Sequence, residues 1–187
     1  MEVQETALDG VVVLMPRRFG DDRGYFSESW NKRTLEAAGL VFDFVQDNHS
    51  LTRARGAIRG LHYQAPPHAQ TKLVRCTAGA IWDVVVDARQ GSATYGHWVA
   101  EELSDENGKQ LLAPKGFLHG FQSLTEDAVV QYKCDAYYHR DSDGAVLWSS
   151  AGLGIDWPIS SPTGISEKDA SAPDFTAWDT PFRGARS

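Results

Sequence analysis

The sequence predicts an all-β domain of the sandwich or barrel class. Short apolar segments recur along most of the chain, each bounded by Gly, Asp or Asn, and this spacing is typical of strands joined by tight turns. Only one helix is clearly predicted in the first two-thirds of the chain, where Asn31 can cap its start and Gly39 can end it. The length suits one domain, so we expect residues 1–187 to form it, with residues 157–187 as a C-terminal appendage.

The predicted strands follow one another between residues 11 and 138. We predict strands at residues 11–15, 25–30, 41–50, 72–76, 80–87, 97–103, 109–113, 117–123 and 128–138, and a strand followed by a turn at 58–72. Residues 19–24 read FGDDRG and predict a turn, and the polar residues at 46–48 could form another. After Trp157, several Pro, Ser and Gly residues break regular structure before Ser166 opens a helical turn.

The composition excludes several classes of protein. A formal net charge of −7 and the lack of a basic block argue against binding of nucleic acid, whose phosphates must be neutralised. No apolar run approaches membrane-spanning length, and the N-terminus, MEVQETALDG, is acidic where a signal peptide would be basic. Cys76 and Cys134 are expected to be free thiols in a reducing compartment. We therefore expect a cytoplasmic protein that binds neither nucleic acid nor membrane.

One segment concentrates side chains suited to catalysis. Residues 58–72 read IRGLHYQAPPHAQTK and place a possible base, His62, near two cations, Arg59 and Lys72. The simpler interpretation is that the histidine is a core or edge residue and that both cations are solvated. Strict alternation also puts Arg59 and His62 on opposite faces. Both can reach one ligand only if Gly60 marks a bulge or if Arg59 lies at the strand edge.

A second segment, PKGFLHGF at residues 114–121, contains the pattern P-x-G-x-x-H. In an all-β chain this pattern resembles the second conserved motif of the cupins. The resemblance implies a cupin-type jelly-roll β-sandwich, here with a short N-terminal helix and a short C-terminal helical tail. Metal-binding cupins carry a second histidine two residues after the first, but Gln64 stands there, and Lys72 would put positive charge where the cation must lie. We therefore expect no metal.

Six segments in sequence order resemble the dTDP-4-dehydrorhamnose 3,5-epimerase family. They read FGDDRGYFSESW, FVQDNHS, GAIRGLHYQ, TKLVRC, PKGFLHGF and YKCDAYY, and the resemblance extends from about Leu8 to about Ala170. It implies an epimerase that uses no metal and no cofactor and usually forms a homodimer. The implied substrate is a dTDP-4-keto-6-deoxy-hexose, whose C3 and C5, the carbons beside the ketone, are inverted.

The resemblance also implies catalytic roles for four residues. His62 matches the base, and an imidazole, with an ordinary pKa of about 6.5, suits proton removal near neutral pH. Asp169 matches the residue that orients this base, although Ser166 and Asp169 also fit a capping box. Lys72 matches the cation that stabilises the enolate. Tyr132 matches the proton donor, although a strand tyrosine can simply belong to the core.

The remaining matches concern residues that bind the nucleotide and the sugar. Tyr138 matches the residue that stacks on thymine, and a regular strand over residues 128–138 would put it on the same face as Tyr132. Asp143 stands where the family commonly has Glu, and its side chain is shorter. The implied set is Arg23, Glu28, Gln46, Asp47, Asn48, Arg59, Lys72, His119, Tyr138, Asp143 and Lys168.

The resemblance therefore implies a cofactor-independent isomerase, a dTDP-4-dehydrorhamnose 3,5-epimerase of dTDP-L-rhamnose biosynthesis. Three alternatives stay open at this point. The chain could invert only one carbon, C3 or C5, of another dTDP-4-keto-deoxysugar. It could catalyse another cupin reaction, such as sugar ketoisomerisation or metal-dependent oxygenation. It could also bind a nucleotide sugar without turning it over.

Overall fold

Thirteen strands and two short α-helices make up residues 1–183, the part of the chain that this computed structural model describes. The strands are β1 (Glu2–Glu5), β2 (Val12–Met15), β3 (Arg18–Asp21), β4 (Gly24–Ser27), β5 (Gln46–Thr52), β6 (Ile58–Gln64), β7 (Lys72–Ala78), β8 (Ala80–Asp87), β9 (Trp98–Ser104), β10 (Gln110–Ala113), β11 (Phe117–Ser123), β12 (Ala128–Cys134) and β13 (Asp143–Ala145). The helices are α1 (Lys32–Ala37) and α2 (Glu167–Ala170). No helix among these residues is long and apolar enough to cross a membrane.

The strands form two antiparallel sheets and a separate hairpin. The six-stranded sheet has the order β1-β2-β10-β7-β12-β5, the five-stranded sheet has the order β13-β6-β11-β8-β9, and β3 pairs with β4 alone. Between β5 and β12 the chain crosses from one sheet to the other at every step except β8 to β9. This is the jelly-roll connectivity, so the predicted β-sandwich with its two short helices is confirmed.

The sequence of β8, AIWDVVVD, explains why this strand is apolar on both faces. Ile81 and Val85 point between the two sheets, where they join the main core. Val84 and Val86 point outward, where the C-terminal segment covers the five-stranded sheet with aromatic residues such as Phe175. A strand that is covered on both sides needs no polar face, and its sequence loses the usual alternation.

The predicted N-terminal helix is confirmed and lies on the outer face of the six-stranded sheet. The side chain of Asn31 accepts hydrogen bonds from the backbone N–H groups of Arg33 (3.0 Å) and Thr34 (3.3 Å). Leu35 is buried against an apolar cluster of β2, β7 and β10. After α1 the chain turns at Gly39, which has a φ of +80°. The cap and the glycine therefore fix both ends of the helix, as the sequence predicts.

Several predicted boundaries are wrong. The turn predicted at 19–24 is a tight hairpin between β3 and β4, and the strand predicted at 41–50 begins only at Gln46. The strand predicted at 128–138 ends at Cys134. There Asp135 leaves the ladder, because its side chain accepts the N–H of Thr71 at 2.7 Å and pairs with Lys115 at 3.1 Å.

A bulge in β6 sets the direction of its side chains. His62 pairs with His119 of β11, and Arg59 pairs with Phe121, so two residues of β6 oppose the single residue Gly120. Gly60 carries the bulge with a φ of +134°. Arg59 and His62 are thereby brought to the same face of the sheet, so of the two arrangements that the sequence left open the bulge at Gly60 is the one present.

We expect Gly60→Ala to destabilise the protein because its backbone has no room for a side chain. A Cβ there would approach the Cα of Gly120 at 2.6 Å, whereas Gly24, with nearly the same φ (+133°), has nothing within 4 Å. Gly24→Ala should lower the free energy of unfolding by about 1 kcal/mol because of its positive φ. Gly60→Ala should lower it by about 2 kcal/mol more, because the added Cβ also overpacks the site. Urea denaturation of both variants measures the difference, and equal losses would contradict this account of the bulge.

Candidate active site

A narrow pocket collects three of the predicted site residues. His62 enters it from β6, His119 from β11 and Lys72 from β7, so both sheets contribute to its walls. Its other lining residues are Tyr63, Gln64, Gln70, Ala113, Pro114, Gly116, Phe117 and Phe182. The predicted convergence of the histidines and the lysine is therefore present in one protomer.

His62 is held by a buried carboxylate. Its Nε2 lies 2.6 Å from Oδ1 of Asp169, whose other oxygen accepts the N–H of Gly60 at 3.3 Å. Burial alone would raise the pKa of Asp169, but the hydrogen bonds and charge of these partners outweigh it and lower the pKa below its ordinary value. The carboxylate is thus ionised and can accept the imidazole N–H, which leaves Nδ1 of His62 free to act as a base.

Asp169 combines the two roles that the sequence left open. Its backbone N–H donates to Oγ of Ser166 at 3.1 Å, which caps α2. Its side chain points to His62. The capping motif and the histidine partner are therefore not alternatives, because the cap fixes the backbone from which the carboxylate projects.

Lys72 and Tyr132 belong to the opposite sheet, where Lys72 lines the pocket with His62 and Tyr132 packs against the core. Nζ of Lys72 lies 5.8 Å from the centroid of the Tyr132 ring. Burial lowers the pKa of Lys72, although the negative charges of Asp143 and Asp83 oppose this effect. Burial also raises the pKa of Tyr132, so its phenol keeps its proton. The interior between the sheets therefore holds an amine, a phenol and an imidazole.

His119 has a buried partner that the sequence analysis missed. Nε2 of His119 lies 2.8 Å from Oδ1 of Asp83, and both side chains are buried. The other carboxylate oxygen of Asp83 has no hydrogen-bond partner among the described residues. The signal available was Asp83, which interrupts the apolar run AIWDVVVD, since an unpaired buried carboxylate is costly.

Five further predicted residues lie around the pocket. Arg59 donates to Oγ1 of Thr52 and to the carbonyl of Leu51 in β5, and Gln46 bonds Asn48. Lys168 forms an ion pair with Asp143, so the shorter aspartate still reaches a cation. These contacts place Gln46, Asn48, Arg59, Asp143 and Lys168 on the strands and the helix that surround His62.

Tyr138 differs from its prediction. It lies in the loop after β12 and is 57% exposed, so it does not share a strand face with Tyr132. Its backbone N–H donates to Oε1 of Gln46 at 2.8 Å. The even spacing between the two tyrosines carries no meaning, because the strand ends between them.

Three predicted binding residues are not brought to the pocket. Asp47 projects from the opposite face of the six-stranded sheet and pairs with Lys133 at 3.0 Å, as alternation in β5 requires. Arg23 is 89% exposed at the tip of the β3–β4 hairpin, where it pairs with Asp21. Glu28 accepts a hydrogen bond from Asn31 at 3.0 Å. Residues 46–48, which could have formed a turn, belong to β5.

The side chains around the pocket offer no multidentate metal site. Among residues 1–183, no group of three or more His, Cys, Asp or Glu side chains is arranged to hold a metal ion. Cys76 and Cys134 are both free and buried, and burial raises the pKa of each thiol to about 11. The prediction of free thiols is confirmed.

Comparison with known proteins identifies the family. The family model described as dTDP-4-dehydrorhamnose 3,5-epimerase matches residues 5–177. An enzyme of that name from Sinorhizobium fredii is 46% identical over 187 residues, covering 98% of this chain and 94% of the relative.

Two solved structures share the fold along almost the whole chain. The Bacillus anthracis dTDP-4-dehydrorhamnose 3,5-epimerase, crystallised with TDP and pyrophosphate, has a TM-score of 0.90 and 49% identity, covering 92% of this chain and 98% of its own. The Legionella pneumophila 3,5-epimerase, in complex with dTDP-4-keto-L-rhamnose, has a TM-score of 0.91 and 42% identity, covering 97% and 96%. The chain therefore belongs to the dTDP-4-dehydrorhamnose 3,5-epimerase family.

Proposed function

We propose that this protein inverts C3 and C5 of dTDP-4-dehydro-6-deoxy-D-glucose to give dTDP-4-dehydro-L-rhamnose, in the synthesis of dTDP-L-rhamnose. The observation that carries the proposal is the hydrogen bond between His62 of the five-stranded sheet and Asp169 of α2, together with Lys72 and Tyr132 on the inner face of the six-stranded sheet. Inversion needs a base on one side of the sugar and an acid on the opposite side. A sugar held between the two sheets meets these groups on opposite faces.

His62 removes the proton beside the ketone. Its Nε2 is engaged by Asp169, so Nδ1 carries the lone pair that accepts the proton. The carboxylate then stabilises the imidazolium that forms, and it fixes the ring so that no reorientation is needed during the reaction. In this proposal Asp169 acts on the chemistry through His62 and makes no contact with the substrate.

Lys72 stabilises the enolate oxygen that develops at C4. Burial disfavours its ammonium form when no anion is present. A negative charge on the enolate favours the ammonium form, so the interaction strengthens as the proton leaves C3 or C5. An interaction that is stronger in the transition state than in the ground state accelerates the reaction, whereas one that is equally strong in both states only improves binding.

Tyr132 returns a proton from the side opposite His62. Its pKa is raised by burial, which keeps the phenol protonated at neutral pH. Its ring packs against the core of the sandwich and fixes the direction of the hydroxyl group. Both the donor function and the core packing therefore apply to this residue.

The nucleotide part of the substrate meets cations and an aromatic ring at the edge of the pocket. We assign the diphosphate to Arg59 and Lys168, because charged donors make strong hydrogen bonds to phosphate oxygens. Tyr138, exposed on its loop, is assigned to the thymine ring. His119, held by Asp83, contacts the sugar or the phosphate beside it.

The proposal includes a homodimer that acts in the cytoplasm. The β3–β4 hairpin exposes Phe19 (52%), Tyr25 (59%) and Phe26 (71%), which is unfavourable for a surface that stays in water. Burial of this hairpin against a second copy would carry Arg23 and Glu28 to that copy's nucleotide site. Free cysteines support a reducing compartment.

We expect His62→Ala to abolish solvent deuterium incorporation at both C3 and C5. General-base catalysis typically contributes about 10²–10⁴-fold to the rate, so exchange should fall by at least about 10²-fold. Proton NMR with dTDP-4-keto-6-deoxy-glucose in deuterated buffer, without added metal, gives the measurement. His49→Ala is the matched control, because His49 is exposed on the outer face of β5. Substantial residual exchange at either carbon would remove His62 from the role of base.

Tyr132→Phe should impair the two carbons unequally. Loss of the phenol proton blocks reprotonation on the side opposite His62, while His62 can still remove and return protons on its own side. We expect one carbon to keep its deuterium exchange, with net inversion reduced by about 10²-fold. Tyr95→Phe, at a partly buried tyrosine in a separate aromatic cluster, is the control. Equal losses of exchange at both carbons would count against a special role for Tyr132.

A further inference from the structure

The loop after β12 is held by side-chain amides and not by the sheet. Residues 135–139 carry Tyr138, and three glutamines bind the backbone of this loop. We refer to Gln46, Gln64 and Gln70 as the glutamine clamp. Gln46 belongs to β5 and Gln64 to β6, while Gln70 lies just before β7. The loop is therefore attached to both sheets of the sandwich.

Four successive residues of the loop each have a backbone group bound by the clamp. Nε2 of Gln70 donates to the carbonyl of Ala136 at 2.8 Å. Nε2 of Gln64 donates to the carbonyl of Tyr137 at 3.1 Å. On the acceptor side, Oε1 of Gln46 receives the N–H of Tyr138 at 2.8 Å, and Oε1 of Gln64 receives that of His139, also at 2.8 Å. The peptide groups on both sides of Tyr138 are thereby fixed.

Gln64 is the central member of the clamp. It is only 5% exposed, and its amide also donates to the carbonyl of His68. The imidazole of His139 stacks on that of His68, with ring centroids 3.7 Å apart, and so joins the same two segments a second time. A buried amide with three backbone partners gives the loop one defined conformation.

The clamp fixes the loop that carries Tyr137 and Tyr138, two exposed residues that we call the aromatic platform. Tyr137 and Tyr138 are 71% and 57% exposed, so holding them rigid does little for the hydrophobic core. A ring that is already in place loses less conformational entropy when a flat ligand stacks on it. Gln64 also lies two residues after His62 in β6, so one strand sets the position of both the base and the platform.

We propose that Gln64, with Gln46 and Gln70, is a positioning residue that presents Tyr138 to the nucleobase of the substrate. The inference rests on the proposed function, in which Tyr138 stacks on thymine. Gln64 acts through Tyr138 and not on the reacting carbons. Nucleobase stacking is made equally in the ground state and the transition state, so loss of the clamp raises KM and leaves kcat unchanged.

The test compares dTDP binding and turnover in Gln64→Met, Tyr138→Ala and the double variant. Methionine keeps the unbranched length but removes both the donor and the acceptor. We expect about tenfold weaker dTDP binding by calorimetry in each single variant, within the range for loss of one stacked base. The double variant should bind no more weakly than Tyr138→Ala alone, because both changes remove the same contact. In Gln64→Met, kcat should stay within about twofold of the parent.

Gln122→Met is the matched control for stability. Gln122 is fully buried, and its side-chain amide also makes two backbone hydrogen bonds. It donates to the carbonyl of Ile159 and accepts the N–H of the same residue, both at 2.9 Å. It holds the C-terminal segment, away from Tyr138. Its loss should lower the melting temperature while dTDP affinity stays unchanged. If Gln64→Met does not fold, Gln70→Met serves instead, with an expected loss of about threefold for its single bond to the loop.

The outcomes separate the clamp from the proposed function. Additive losses in the double variant would mean that Gln64 contacts the ligand directly, and a fall in kcat at constant KM would mean that it acts on the chemistry. Either result overturns the inference while the epimerase function stands. Unchanged dTDP affinity in Gln64→Met or in Tyr138→Ala also overturns it. Absence of deuterium exchange in the unmodified protein, by contrast, would overturn the proposed function.

Discussion

The hydrogen bond between His62 and Asp169 is the constraint on which the arrangement of the site depends. It joins β6 to α2 across 107 residues of sequence, so the C-terminal segment is part of the site as well as a cover for the outer sheet. The bulge at Gly60 turns His62 toward the pocket, and the N–H of Gly60 binds the same carboxylate. Removing His62 would leave the buried carboxylate of Asp169 without its main partner, so strand, bulge and tail constrain one another.

The candidate site lies between the two sheets, at one end of the interior of the sandwich. Along β7, Lys72, Val74 and Cys76 point inward, and across the ladder they face Cys134, Tyr132 and Val130 of β12. One end of this array is apolar and closes the core, whereas the other end carries the ammonium and the phenol. Alternation along these strands therefore places both the core residues and the candidate site residues on the inner face. The residue types alone distinguish the apolar end from the polar end.

The sequence predicted the parts of the structure that local patterns determine. Turn residues and alternation predicted most strands, and Asn31 and Gly39 predicted α1. The conflict between Arg59 and His62 left two possibilities, a bulge at Gly60 or Arg59 at the strand edge, and the bulge is present. The end of β12 was not predictable, because it depends on bonds from Asp135 to Thr71 and Lys115, distant in sequence. Family resemblance named Arg23, Glu28 and Asp47, but a pattern of residues does not say which face, or which copy of the chain, presents them.

The charges around the pocket explain how an acidic protein can bind an anionic substrate. Beside the pocket, Lys168 is already paired with Asp143. Farther away, Arg23 is paired with Asp21 and Lys133 with Asp47. Within residues 1–183, Lys72 and Arg59 form no ion pair. A net charge of −7 repels anions at long range, so affinity must come from these unneutralised cations at short range. Lys72 lies near the ring of Tyr132 inside the sandwich and Arg59 at the rim, which fits the proposed division of these cations between the enolate and the diphosphate.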